Sequence, residues 1–301
     1  MKIEMIGLPL DLGANRRGVD MAPSAIRIAG ITERLENIGH EIKDEGDLDV
    51  FVPEVLKIED PKLKYLPEIK KSLSHLADEV TRSLENGLFP LVLGGDHSIA
   101  VGSISGAARF LKRKNKKLGV IWIDAHGDMN THETTLSGNI HGMPFAAVLG
   151  KGAQELVNIG GRFRKVHPED CVLVGVRNLD PKEQNLIRNS GITVYTMEEI
   201  DRRGICEIMS QAVEIATRHS DALHVSLDMD ALDPQEAPGV GTPVRGGLSY
   251  REAHTSMEII AGCKRLCSLE VVEVNPILDI RNTTAEVAAE LVESALGKRI
   301  I

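Results

Sequence analysis

The stretch Leu118–Asn130, LGVIWIDAHGDMN, changes character in its middle. Its first six residues carry no charge and are mostly apolar, the pattern of a strand covered on both faces rather than the alternation of a half-exposed one. Acids and an imidazole then arrive on every second position: Asp124, His126 and Asp128. Extended chain places alternate side chains on the same side, so these three are expected to share one face where the strand ends. The same handover occurs twice more. Phe89–Leu93 runs into Gly94-Gly95-Asp96-His97-Ser98, and Ala222–Leu227 runs into Asp228-Met229-Asp230, then Ala231-Leu232-Asp233-Pro234.

Outward from these blocks, short apolar runs alternate with amphipathic stretches along the whole chain. Further strands are expected at Ile3–Ile6, Cys171–Val176, Ile192–Tyr195 and Leu269–Val274, with a weaker one at His40–Ile42. Helical spacing covers Ser24–Asn37, Pro67–Glu85, Ile99–Lys112, Met197–His219, Ser249–Ala261 and Thr283–Leu296. In Pro67–Glu85 the residues Ile69, Leu73, Leu76, Val80 and Leu84 recur at three or four, and Asn86-Gly87 supplies the stop. No linker, composition shift or internal repeat divides the alternation. The expectation is one α/β domain over residues 1–301. It has three layers, α-β-α, with a mostly parallel sheet of about eight strands and helices on both faces. Ligands of such sheets sit beyond the carboxyl ends of the strands. Two long loops rich in Gly or Pro leave those ends, Met129–His141 and Ala231–Leu248.

Composition narrows the function. Of 301 residues, 42% are hydrophobic and 26% charged, ordinary for a soluble globular protein. Only 3% are aromatic, so the core is left to Ile, Leu, Val, Ala and Met. The net charge of −9 and pI of about 5.6 come without a long basic block; KRKNKK at 112–117 reads as a solvated helix end, and no nucleic-acid partner is expected. No apolar run reaches the ~18 residues of a membrane span, and MKIEMIGLPLDLG is broken by charge and Gly too early for a signal peptide. Cys171, Cys206, Cys263 and Cys267 match no zinc spacing and read as reduced thiols. A cytoplasmic location is expected.

Adjacent parallel strands would gather the three sets, two with an imidazole and one of acids alone, at one sheet edge. Carboxylates a few ångströms apart raise each other's pKa and resist ionisation. Divalent cations reverse that argument. With His97, Asp124, His126, Asp128, Asp228 and Asp230 as ligands, two cations balance four carboxylates, and a bridging hydroxide leaves a slight negative excess. A donor set dominated by oxygen suits Mn²⁺ better than Zn²⁺, which favours four-coordinate sites richer in nitrogen or sulfur. Two cations sharing a water make a strong nucleophile near neutral pH. Each motif alone has an ordinary reading. Asp-X-His-X-Asp is more often a polar loop, GGDHS a turn before an N-capped helix, and Asp-X-Asp also follows strands in phosphate and sugar enzymes. Three such signals at three strand ends of one chain point to a binuclear metal site.

Taken in order, GGDHS (94–98), DAHGDMN (124–130), SGNIHGMP (137–144), SLDMDALDP (226–234), APGVGTPVRGGL (237–248) and EVVEVNPILD (270–279) resemble the ureohydrolase superfamily, and the arginase family most closely. NRRGVDMAPSAIR (15–27) is similar to that family's opening loop and first helix. The resemblance spans nearly the whole chain. It implies that His97, Asp124, Asp128 and Asp228 hold one manganese, and that Asp124, His126, Asp228 and Asp230 hold the second, Asp124 and Asp228 bridging. It also implies that Asp128 accepts a hydrogen bond from the bridging hydroxide. His141 would act as proton shuttle or general acid at the mouth, and Glu273 would bind the substrate guanidinium. Asn130, Thr135, Ser137 and Asn139 would contact an α-carboxylate, partly through water, and Asp180 an α-ammonium. Asn178 departs from the pattern, standing where many members carry a second acid; that bears on a water-mediated contact to the ammonium.

The chemistry is consistent with those roles. Guanidinium is cationic and resonance-stabilised, a poor electrophile that needs a strong nucleophile and a carboxylate to clamp its planar fork. A leaving amine needs a proton, which an imidazole titrating near neutrality supplies. The expected activity is hydrolysis of L-arginine to L-ornithine and urea. The alternatives are agmatinase or another guanidino-acid ureohydrolase, since the metal blocks do not choose a substrate; SGNIHG and EVNPILD are closer to arginase spellings. A non-catalytic metal-binding subunit ranks lower, because all six ligands, His141 and Glu273 are retained. A binuclear phosphoesterase would want basic groups at the metals, and only Arg245 stands in a candidate loop. The resemblance further implies a homo-oligomer, trimer or hexamer. His132 is read as solvated and His224 as a core or supporting residue.

Overall fold

The computed structural model describes residues 1–299; Ile300 and Ile301, the last two of the expected 1–301 domain, lie outside the described residues. Among the described residues eight strands form one sheet: β1 (Lys2–Leu8), β2 (Glu41–Asp47), β3 (Phe89–Gly94), β4 (Leu118–Ile123), β5 (Cys171–Val176), β6 (Thr193–Thr196), β7 (Ala222–Asp228) and β8 (Leu266–Val272). Their order is β2-β1-β3-β8-β7-β4-β5-β6, and every pairing is parallel. β2 is charged and largely exposed, as suits an edge strand.

Pleating divides the apolar residues between two cores. Met5, Leu91, Leu93, Ile121, Ile123, Val225 and Leu227 face one side. There they meet α1 (Ala22–Ile28), α2 (Ile31–Asn37), and, from later in the chain, the helices at Met197–Arg203, Ile205–Arg218, Tyr250–Gly262 and Thr283–Ala295. Ile6, Val92, Val120, Trp122 and Leu173 face the other side, against α3 (Leu66–Glu85), α4 (Ala100–Arg113), α5 (Pro144–Val148) and α6 (Gln154–Val157). The helix Pro181–Arg188 is α7, and the four later helices are α8, α9, α10 and α11 in chain order. The expected three-layer α/β architecture is the one observed, with the sheet wholly parallel.

Two expected helices are each two. Ser24–Asn37 is broken between α1 and α2 by Gly30, at φ 79°, and Met197–His219 between α8 and α9 by Gly204, at φ 83°. Apolar spacing carries across both breaks, but the left-handed backbone at each Gly cannot continue a helix. The last strand starts and stops earlier than Leu269–Val274, because Glu273 itself has φ 64° and leaves the extended region. The weak strand at His40–Ile42 extends to Asp47.

Chain order explains why the motifs meet. β2 and β3 flank β1; the chain then crosses to β4, leaving a gap two strands wide, and continues outward through β5 and β6. β7 and β8 return to fill the gap. Register then levels the ends: Leu93 and Leu227 both pair with Val271, and Leu227 pairs with Ile123. The residues following β3, β8, β7 and β4 therefore leave the sheet side by side at one height. Among the described residues no helix is long and apolar enough to cross a membrane.

One close approach fixes the spacing of β4 and α9. A Cβ on Gly119 would lie 1.8 Å from the Ala216 carbonyl oxygen and 2.7 Å from Ser220 Oγ. Gly119→Ala should cost about 1–3 kcal/mol or more, because neither the helix nor the strand can retreat; thermal unfolding should show a melting temperature lower by several degrees.

Candidate metal centre and substrate cleft

The ligand-type residues converge by turns rather than by strand pleat. β4 ends at Ile123, and Asp128 has φ 51°, so residues 124–128 are not extended. Asp124 Oδ1 accepts from the His126 N–H at 2.7 Å, an Asx turn that folds the loop back on the strand end. The Asp228 carboxylate repeats the device, Oδ1 accepting from the Asp230 N–H at 2.7 Å across the short turn Met229–Ala231. Asp230 Oδ1 accepts from the Ala125 N–H at 3.2 Å, which ties the two loops together. The expected face-sharing of Asp124, His126 and Asp128 is therefore achieved, but by side-chain-capped turns; the pleat argument does not apply beyond Ile123.

His97 Nδ1 lies 3.0 Å from Asp228 Oδ2, 3.1 Å from Asp128 Oδ2 and 3.2 Å from Asp124 Oδ2. His126 Nδ1 lies 3.0 Å from Asp230 Oδ2 and 3.5 Å from Asp124 Oδ1. Two groups with the proximity of metal ligands result, His97/Asp124/Asp228 and Asp124/His126/Asp230, and Asp124 belongs to both. Asp228, expected to bridge as well, falls in the first group only. Asp128 stands beside the first group through its approach to His97.

The residues fit a cation-binding role. One imidazole nitrogen carries at most one proton and cannot satisfy three carboxylate oxygens. Asp128 Oδ2 is in fact a buried oxygen that receives no hydrogen bond among the described residues. The other nitrogen, His97 Nε2, is 2.8 Å from Ser226 Oγ; with that N–H donating to the hydroxyl, the Nδ1 lone pair faces the carboxylates. Burial opposes charge on both imidazoles, yet the acids around them prevail: His97 is held well above the ordinary range and His126 is pushed up to about 12. Burial and the charge of Asp124 push Asp128 up to about 7, and burial with Asp230 and Asp124 raises Asp228 strongly. These are the directions of an anion cluster that retains positive charge in any available form, protons included.

Beside the cluster, Glu273 stands on left-handed backbone, its N–H bonded to the Gly95 carbonyl at 2.9 Å. Its Oε1 accepts from the His97 N–H at 2.9 Å and lies 3.0 Å from His141 Nδ1. Its Oε2 is buried without a partner among the described residues. Burial disfavours the His141 cation, but Glu273 outweighs it and pushes the imidazole up to about 9. Two cavities of about 160 and 370 Å³ share His126, His141, Asn178, Thr242 and Glu273, and so form the floor and mouth of one cleft.

Of the residues expected at a substrate, Asn130, Ser137 and Asp180 line the floor and Asn139 lines the mouth. Thr135 lines neither; it is buried, and its Oγ1 accepts from the Gly138 N–H at 2.9 Å, so it shapes the loop. Asn178 faces both chambers.

Comparison with known proteins bears on the family of the whole chain. The Arginase family model matches residues 1–297. The chain belongs to the arginase family. It is 51% identical over 299 residues to the arginase of Brevibacillus brevis and 51% identical over 300 residues to that of Bacillus caldovelox, with 99% of each chain covered in both cases. The solved structure of the Bacillus caldovelox arginase superposes with a TM-score of 0.95 at 50% identity, covering 100% of this chain and 99% of that one.

Several members of the site have no motif of their own. Trp122, the one tryptophan of the sequence, stacks on the His97 ring at 4.2 Å between centroids and donates from Nε1 to Asp124 Oδ2 at 2.9 Å. Its place near the end of β4, two residues before Asp124, was the available signal. Thr242 Oγ1 donates to Asp230 Oδ2 at 2.8 Å. Glu183 accepts from the Met129 and Asp180 N–H groups and binds the two substrate loops to each other. His224, buried in β7 and lying 2.7 Å from Ser268 Oγ, supports the sheet.

Asp124→Ala removes the only carboxylate common to both ligand groups. After incubation with a divalent cation and gel filtration, the variant should retain far less metal than the parent chain, as read by elemental analysis. Thr242→Ala, which touches only Asp230, should lose far less.

Proposed function

We propose that this chain hydrolyses L-arginine to L-ornithine and urea at a binuclear manganese site. The observation that carries the reading is an unpaired, buried Glu273 oxygen at the floor of a cleft, beside a cluster of imidazoles and carboxylates that fits cations. Four carboxylates and two imidazoles favour manganese over zinc. His97, Asp124, Asp128 and Asp228 would hold one ion and Asp124, His126, Asp228 and Asp230 the other, Asp228 turning to serve both. When bound, the cation pair supplies a water acidified enough to attack near neutral pH.

The chain's own groups do the rest. Glu273 orients the guanidinium through its open Oε2, and its charge offsets the cost of burying that cation. Asp128, with an oxygen free of other hydrogen bonds, would accept a hydrogen bond from the nucleophile and so orient it. His141, at the junction of floor and mouth and kept cationic by Glu273, hands a proton to the departing amine. Asp180 would meet the α-ammonium, and Asn130, Ser137 and Asn139 would offer uncharged donors to the α-carboxylate. Thr135 contributes by holding the loop. A cytoplasmic location agrees with four free cysteines among the described residues. A homo-oligomer, trimer or hexamer, follows the family resemblance, and sedimentation of the purified chain measures it.

Urea release from arginine and from agmatine by the manganese-loaded chain tests the substrate; urea from agmatine alone overturns the reading. His141→Ala should lower kcat about 100-fold or more while bound manganese is unchanged. Glu273→Ala should also leave the metal in place, with kcat/KM for arginine falling by orders of magnitude.

A further inference from the structure

The segment Asp60–Tyr65 carries no motif, yet it is bonded to the loop that faces the substrate tail. Lys62 Nζ donates to the Thr135 carbonyl at 2.8 Å, and the Lys64 N–H to the Gly138 carbonyl at 3.1 Å. Gly138, at φ 77°, lies so close that a Cβ there would sit 1.8 Å from the Pro61 carbonyl oxygen. The half-buried Lys64 Nζ then donates to Asn139 Oδ1 at 2.9 Å and to Asn15 Oδ1 at 3.3 Å. Both asparagines line the 370 Å³ mouth.

An ammonium group has three donors and no acceptor, so whichever carboxamide atom faces it must be oxygen. That settles the orientation of both side chains. Their oxygens turn to Lys64, and their NH₂ groups, which have no partner among the described residues, are left to meet whatever enters the mouth. Without the lysine, the terminal torsion of an asparagine is broad and roughly two-fold, and the oxygen would face the mouth about as readily as the nitrogen. An oxygen there repels an anion. Lys64 also sets a positive charge directly behind the two donors, and Arg16 lines the same mouth.

We propose that Lys64 is a positioning residue for substrate selection: it fixes Asn15 and Asn139 with their NH₂ groups toward the mouth, and so favours guanidino compounds that end in a carboxylate. The inference deepens the arginine reading and rests on it.

The experiment uses the full manganese-loaded chain and its Lys64→Met and Lys64→Arg variants. L-arginine is measured as substrate. Agmatine, which lacks the carboxylate, is measured as substrate or, where turnover is too slow, as competitive inhibitor. In Lys64→Met the KM for arginine should rise about tenfold with kcat falling no more than about twofold, while the agmatine constant moves less than about twofold. Lys64→Arg should recover most of the loss. Parallel changes for arginine and agmatine, no change for either, or a loss confined to kcat would overturn the assignment, since a merely structural brace does not distinguish the two tails. A parent chain that hydrolyses agmatine and not arginine would instead sink the underlying reading, and this inference with it. A parent selective for arginine whose Lys64→Met variant keeps that selectivity sinks the inference alone.

Discussion

Three carboxylate oxygens stand within 3.2 Å of one imidazole nitrogen, His97 Nδ1, in a setting from which water is nearly excluded. Left to themselves, carboxylates at such separations drive one another apart or take up protons. The sheet holds them because its strand ends are level and because each acid is anchored from behind: Asp124 by the His126 N–H and Trp122 Nε1, Asp228 by the Asp230 N–H, Asp230 by the Ala125 N–H and Thr242. Each anchor points a second oxygen, or the remaining lone pairs of the first, toward a shared space. Asp128 and Glu273 add left-handed backbone, a conformation that persists only where the surroundings enforce it. Cations convert this arrangement from a liability into a preorganised set of ligands.

Such an arrangement needs a rigid support, and the two apolar cores provide it. β4, β7 and β3 are buried along their whole length, packed between helices on both faces. Their stability comes from apolar burial well away from the charged ends. That separation lets the chain place its least favourable groups at a point where it gains nothing from them structurally.

Much of this was legible in the sequence, for physical reasons that also mark where legibility stops. Largely apolar runs identified β3, β4, β5 and β7, because strands covered on both faces carry few charges. Acids at three strand ends, two of them beside an imidazole, identified the cluster, because three such signals in one chain coincide for few other purposes. The breaks at Gly30 and Gly204 were missed: apolar spacing continues across them, and only the left-handed backbone at each reports the stop. The pleat argument for Asp124, His126 and Asp128 reached the right grouping by the wrong geometry, since an Asp that caps its own turn leaves the same two-residue spacing as an extended strand. Thr135 stood in the loop between two matched motifs but turned inward to bond Gly138, a choice decided by loop closure. Lys64 carried no signal, and Asn15 only its place in the opening loop, because their joint meaning lies in a contact between segments far apart in sequence.

The two ends of the cleft face opposite electrostatic tasks, and this explains why the recognising groups are scattered. The floor gathers carboxylates, Glu273 among them, and so favours a guanidinium. The same field disfavours a substrate that also carries a carboxylate, and the chain's net charge of −9 adds to that at long range. A tail bearing both an ammonium and a carboxylate therefore requires the potential to change sign within one small mouth. In the proposed reading, Asp180 on the α7 side would meet the ammonium, and Ser137 with the Asn139 amide would meet the carboxylate. Neutral amides alone reverse the potential only if their dipoles are held in one sense, because a freely turning carboxamide presents its oxygen as often as its nitrogen. A donor-only cation behind them fixes that sense while remaining out of the substrate's path. The metal-ligand blocks can thus be common to enzymes with different substrates, while the tail is read by polar groups oriented from behind.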